Sequence, residues 1–228
     1  MKPSVPGASR RLAFVVLLAA ASGCATSGSG VSAGTPPAAE AHGQLTELSR
    51  VDGPIVLCQH KVPQQVCTRC NPQLEANFKR AKDWCGEHGV PESQCLECHP
   101  DLTFEPLPKV SAAADVKRLS EAGEDVPDLA VHAVAGKVTV FDFYADWCAA
   151  CRKVEGHVLG RLARGDTTVA LRKLNVVDWE SPLAQRYLQQ APSLPLLVVY
   201  GRDGKKVAEL TGAKLEELDA AIAEAARR

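Results

Sequence analysis

The residues of this chain that can do chemistry are chiefly its nine cysteines, and their spacing sorts them into separate kinds. In Trp147-Cys148-Ala149-Ala150-Cys151-Arg152, two thiols lie three positions apart where a strand-like run gives way to helical periodicity. At a helix N-terminus the first sulfur meets unpaired backbone N–H groups and the positive end of the helix dipole, which stabilise a thiolate. Cys148 is therefore the expected nucleophile. Cys151, one turn on, is the expected resolving thiol that attacks the resulting mixed disulfide. A structural disulfide or half a zinc site is the alternative, but the C-terminal half holds no further Cys/His pair to complete a metal site.

Six more cysteines fall in a duplication. Residues 58–74 (CQHKVPQQVCTRCNPQL) and 85–102 (CGEHGVPESQCLECHPDL) repeat one pattern: Cys, His, Val-Pro, Cys-x-x-Cys, Pro, Leu. Each copy offers three sulfurs and one imidazole: Cys58, His60, Cys67 and Cys70, then Cys85, His88, Cys95 and Cys98. Such a set suits a closed tetrahedral Cys3His site for zinc, or for copper given soft thiolates. A closed site leaves no place for substrate, so its role would be structural, storage or sensing. In an oxidising compartment the same six cysteines can instead form three disulfides, which would leave the repeated histidine unexplained. Cys95-Leu96-Glu97-Cys98-His99 also fits a c-type haem attachment pattern, but the first copy has Asn71 where the second has His99. His42, His132 and His157 show no ligand pattern and read as ordinary histidines.

These groups need elements to hold them. Val138–Tyr144 (VTVFDFY) reads as a buried central strand. Cys148 to about Gly165 reads as a helix with Val154, Val158, Leu159 and Leu162 on one face. Val169–Val177 is a second strand, Pro182–Gln190 a helix, Leu196–Tyr200 a third strand and Lys206–Leu210 a fourth, with a closing amphipathic helix through Leu215, Leu218 and Ile222. Residues 112–135 are expected to be helical in parts. Leu74–Trp84 is expected to form a short helix bracing the two Cys/His sites, with Leu74, Phe78 and Ala81 on one side. The module is too small to fold without ions or disulfides.

Composition excludes one class of partner and points to a compartment. With 26 basic and 27 acidic side chains the net charge is −1, so no broad basic field exists to hold nucleic acid. Residues 1–23, with Lys2, Arg10, Arg11 and the apolar run 12–21, read as a signal peptide. Its removal would leave 23 basic against 27 acidic groups, net −4. Residues 25–43 are small, polar and rich in Pro and Gly, as in a flexible tether.

Several of these segments resemble known families. Ala21-Ser22-Gly23-Cys24 resembles a bacterial lipobox, which implies lipidation at Cys24 and, with Ala25 following, outer-membrane anchoring at the periplasmic face. An ordinary cleaved signal is the alternative. HGVPESQC and CNP in the duplicated module resemble Cys/His-rich extensions of heavy-metal efflux adaptor proteins, which implies metal contact. FDFYADWCAACRKVE resembles the thioredoxin superfamily, most closely the C-terminal periplasmic domain of the transmembrane thiol:disulfide reductase DsbD.

That resemblance implies an α/β fold over 111–228, a thioredoxin-like central mixed sheet flanked by helices. It also implies Trp147 beside the reactive pair, Asp142 as the buried carboxylate that moves a proton for Cys151, and Leu194-Pro195 as a substrate-pairing cis-proline loop. Ala150 precedes the second cysteine where strong oxidants of the family often carry His, which favours reduction. The expected whole is a signal peptide (1–23), a lipidated N-terminus and linker (24–57), a Cys3His module (58–102) and a redox domain (111–228). It would be a membrane-anchored periplasmic protein-disulfide reductase. The redox domain would need no cofactor, the module would carry two zinc or copper ions, and a membrane-embedded donor would recharge the pair. The competing expectations are a non-enzymatic metal-binding lipoprotein with a thioredoxin-like docking domain, and a c-type haem electron carrier.

Overall fold

Val138–Tyr144 is apolar, β-branched and aromatic, and every one of its seven residues is buried. It forms the centre of the sheet in the computed structural model, which describes residues 54–190 and 193–228. The expected signal peptide at 1–23, Cys24, most of the expected linker and His42 lie outside the described residues. In chain order the elements are α1 (Glu75–Arg80), β1 (Val116–Arg118), β2 (Val138–Tyr144), α2 (Ala149–Ala163), β3 (Val169–Asn175), α3 (Pro182–Tyr187), β4 (Leu196–Tyr200), β5 (Lys206–Thr211) and α4 (Leu215–Ala225). The strands form one mixed sheet in the order β1-β3-β2-β4-β5, with β1, β3 and β2 parallel and β4 and β5 antiparallel. The mixed sheet flanked by helices is the expected architecture.

Side chains alternate across a strand, so the sheet has two apolar faces. Val138 and Val140 point to the face covered by α2 and α4, where Val154, Val158, Leu218 and Ile222 complete a core. Phe141 and Phe143 point to the other, where Leu183 and Ala184 of α3 pack. Ser181 caps α3 by accepting the Ala184 N–H at 3.2 Å, with Pro182 at its first position.

Residues 112–135 are helical only in one 3-10 turn, Ala130–His132, and also supply the edge strand β1, which was not expected. The edge is pinned by polar contacts that periodicity does not reveal: Asp115 takes the Arg172 guanidinium at 2.8 Å and the Lys137 ammonium at 2.9 Å. The strand at 169 ends at Asn175 and the helix at 182 ends at Tyr187, both short of their expected ends.

The Cys/His copies have almost no core of their own: Cys85, Val90 and Cys95 of the second copy form a small third cluster. Each copy is a tight loop closed by a single β-bridge, Leu57 with Pro63 and Cys85 with Val90. The residue before each Val-Pro, Lys61 and Gly89, is left-handed at φ 58° and 64°, which turns the chain so that the histidine folds back on its cysteines. The helix between the copies is shorter than expected and does more than brace them. Leu74 and Phe78 join the core that contains Trp147 and Cys148, and the described residues belong to one compact unit.

Candidate functional site

Strand β2 delivers the chain through Ala145-Asp146-Trp147 to Cys148, the N-cap of α2. The Cys148 sulfur accepts the Cys151 N–H at 3.1 Å, which fills one of the donors a helix start leaves unpaired. Cys148 and Cys151 are joined in a disulfide with their Cα atoms 5.2 Å apart, and both are nearly buried. Trp147 is held in place from its far edge, where its indole N–H donates to the Val177 carbonyl at 2.6 Å. That carbonyl belongs to a tight three-residue turn, closed by Asp178 N–H to Val176 O at 2.7 Å. Val177 sits at φ 63°, a costly conformation for a β-branched residue, and the Asn175 side chain holds its N–H at 2.9 Å. Leu194-Pro195, a cis peptide, leads directly into β4, and the Pro195 carbonyl accepts the Gly212 N–H at 2.8 Å.

Asp142 lies in β2 with both carboxyl oxygens buried and without a hydrogen-bond partner among the described residues. Burial, reinforced by the Glu155 charge and only partly offset by Lys173, pushes its pKa up from 3.8 to about 8. A carboxyl group tuned to that range can take or give a proton near neutrality. Lys173 is its register partner across the β2–β3 ladder, and Glu155 stands on α2 one turn beyond Cys151. Glu155 and Lys173 form a largely buried ion pair and line a cleft of about 950 Å³ together with Leu159 and Leu107. Neither was singled out from sequence. The available signal was an acid on the otherwise apolar inner stripe of α2 and a lysine inside an apolar strand.

In the module, the six cysteines are free. His60 Nδ1 lies 3.6, 3.4 and 3.6 Å from the sulfurs of Cys58, Cys67 and Cys70. His88 Nδ1 lies 3.4, 3.5 and 3.4 Å from those of Cys85, Cys95 and Cys98, and the Cys85 and Cys98 sulfurs are 3.7 Å apart. A tetrahedral zinc with bonds of ~2.3 Å to sulfur and ~2.05 Å to nitrogen requires N···S edges of ~3.6 Å and S···S edges of ~3.8 Å. The donor sets have those dimensions before any ion is considered, so each cluster can hold a metal ion. A disulfide would need sulfurs ~2.05 Å apart. The thiols also share protons unequally. Burial raises Cys58, but backbone N–H groups and the neighbouring thiols outweigh it and bring it down to about 6. Cys70 is pushed up to about 11 by desolvation and by Cys58 and Cys67. His99 stands outside the second cluster, paired with Glu92 at 3.1 Å.

The module and the redox pair meet through aromatic rings. Phe78 of α1 packs edge-on against Trp147 at 5.3 Å, and Trp147 lies 6.2 Å from Trp179. Trp179 donates to the Asn77 carbonyl at 3.4 Å, while Arg80 lies 5.1 Å over its ring and pairs with Glu180 at 2.8 Å.

Residues 128–224 match the family model described as Thioredoxin. Chloroplastic thioredoxin F of Oryza sativa subsp. japonica is 32% identical over 115 residues, covering 50% of this chain and 59% of the rice protein, less than two thirds of its length. Thioredoxin of Chlamydia pneumoniae is 33% identical over 84 residues, covering 37% of this chain and 78% of that protein. Among solved structures, the germline-specific thioredoxin Deadhead of Drosophila melanogaster is 29% identical, with a TM-score of 0.33 over 39% of this chain and 81% of that one. With a Trp-Cys-x-x-Cys at the strand-to-helix junction of a mixed sheet, and relatives that align across it at this level of identity, the chain belongs to the thioredoxin family.

Proposed function

We propose that this chain is a thiol-disulfide oxidoreductase that works as a protein-disulfide reductase. The observation that carries the reading is the placement of Cys148 at the cap of α2, within disulfide reach of Cys151. In the reduced form, the Cys148 thiolate attacks a substrate disulfide. A mixed disulfide forms and the first substrate sulfur leaves as a thiolate. Cys151 then gives its proton to the Asp142 carboxylate and attacks the Cys148 sulfur, releasing the second substrate thiolate. Two electrons pass to the substrate, and the chain is left with the Cys148–Cys151 disulfide. A dithiol donor must reverse that state. Leu194 and Pro195, beside the start of β4, offer backbone for pairing with an extended substrate segment.

The residues at 1–24 support an exported chain anchored by lipid at Cys24, outer membrane over inner, at the periplasmic face. Its substrates would then be disulfide-bearing exported proteins and its donor membrane-embedded. Insulin reduction driven by dithiothreitol tests the activity: turnover by the parent chain and none by Cys148→Ser is expected. No turnover by the parent chain refutes the reading and leaves a non-enzymatic metal-binding protein with a docking domain.

The donor geometry favours a second function beside the first. The two Cys3His clusters would bind two zinc ions, copper being the alternative cargo for soft thiolates. Metal analysis of the purified chain is expected to return two ions. Fewer than two that survive dialysis would refute it.

A further inference from the structure

The last cysteine of the first cluster, Cys70, and the first of the second, Cys85, bound the segment that carries α1. The helix over the redox site is therefore tied at both ends to a candidate metal cluster. Its own six residues are too few to hold a helix in water, so its position depends on its ends and on what it packs against. The inner side is fully committed: Leu74 and Phe78 are 2% and 0% exposed, within the core of Trp147 and Cys148. The two clusters are also joined to each other and to this segment. Gln94 of the second copy donates to the Val66 carbonyl at 2.6 Å and accepts the Thr68 N–H at 3.2 Å. Ser93 donates to Asp83, just past α1, through its N–H at 2.9 Å and its hydroxyl at 2.6 Å. Trp147 precedes Cys148 and shares one packed cluster with it and with Phe78, so what covers Trp147 covers one flank of the nucleophile.

We propose that zinc in the two clusters clamps α1 over Trp147 as a cap, and that loss of zinc releases the cap and opens that flank of Cys148 to bulky protein disulfides. This regulation rests on the reductase and zinc-binding readings above. Small disulfides, which need less of the flank, should respond little. The fold supplies its own reporter, because all three tryptophans of the chain lie at or beside the cap: Trp147 and Trp179 beneath it, and Trp84 under Lys79 at 4.7 Å.

The test uses the full chain, zinc-loaded and after zinc removal by a chelator under reducing conditions. Zinc content, tryptophan emission, and turnover of insulin and of a small aromatic disulfide are all measured. Expected are two zinc ions per loaded chain, a red-shifted emission on removal, and a rise of ~10-fold or more in the ratio of insulin to small-disulfide rates, as for a cap going from mostly seated to mostly released. A Phe78→Ala chain that keeps its zinc should show the raised ratio without any chelator. If removing both ions unfolds the redox domain and abolishes small-disulfide turnover, Cys98→Ser, which breaks the second donor set alone, decides the clamp: a raised ratio is expected, and an unchanged ratio overturns it. A loaded chain with two zinc ions whose emission and rate ratio do not change on removal, or whose insulin rate falls while small-disulfide turnover persists, overturns the clamp and leaves both readings standing. Failure to bind zinc overturns the clamp together with the metal reading. Absence of turnover in every state overturns the reductase reading, and the emission shift alone then decides the clamp.

Discussion

Replacing Asp142 with Asn keeps the shape of a buried side chain and removes its charge. In the folded chain the carboxyl is raised from 3.8 to about 8, first by burial and then by Glu155. The unfolded chain releases this proton near pH 4, while the folded chain keeps it until about pH 8. Between those values the folded state binds one more proton than the unfolded state, so stability falls as pH rises. The contribution is fully present below pH 4 and is lost as pH climbs through 8. At ~1.4 kcal/mol for each tenfold change in proton affinity, the parent chain should lose about 4 kcal/mol relative to Asp142→Asn between pH 5 and pH 9. The uncharged amide has no such slope, and other titrating groups cancel in the comparison. Urea unfolding of both proteins in their disulfide forms at pH 5, 7 and 9 measures the difference directly. Unfolding free energies that run parallel across the three pH values would refute the assignment of Asp142 as a buried, protonated acid.

Other outcomes follow from the same contacts. Cys151→Ser should stall after the first attack, so that mixed disulfides with Cys148 accumulate and appear on non-reducing gels; free release of substrate would contradict the resolving role. Glu155→Gln removes a charge that raises Asp142 and leaves Lys173 to lower it. The pH profile of mixed-disulfide resolution should therefore move to lower pH, as rapid-quench kinetics would show. Val176 and Val177 are both buried, but only Val177 is left-handed. Relief of ~1–2 kcal/mol of backbone strain should make Val177→Gly less destabilising than Val176→Gly by about that amount, as read from thermal unfolding.

The redox half was legible because its pattern is local. The apolar strand 138–144, the thiols at the helix start and the run into Leu196–Tyr200 each announce themselves within a few residues. The duplication was legible because eight donors repeat in register. What escaped depends on distant partners. β1 is three residues long and takes its place from Arg172 and Lys137 reaching Asp115, residues far away in sequence. The docking of Phe78 on Trp147 joins segments about seventy positions apart, and no periodicity in 74–84 reveals which surface its apolar side will meet. Glu155 was hidden by its company, one acid amid Val154, Val158 and Leu162.

Duplication normally yields two units with equal freedom to drift, and here it has not. Leu74 and Leu102 occupy the same place in their copies, but Leu74 is enclosed in the redox core while Leu102 is only half-buried. Truncation to alanine should cost about 2–5 kcal/mol at the enclosed site and much less at the other. In evolutionary terms the first copy is bound to the fate of the domain it leans on, and the second is the one in which new sequence can be tried.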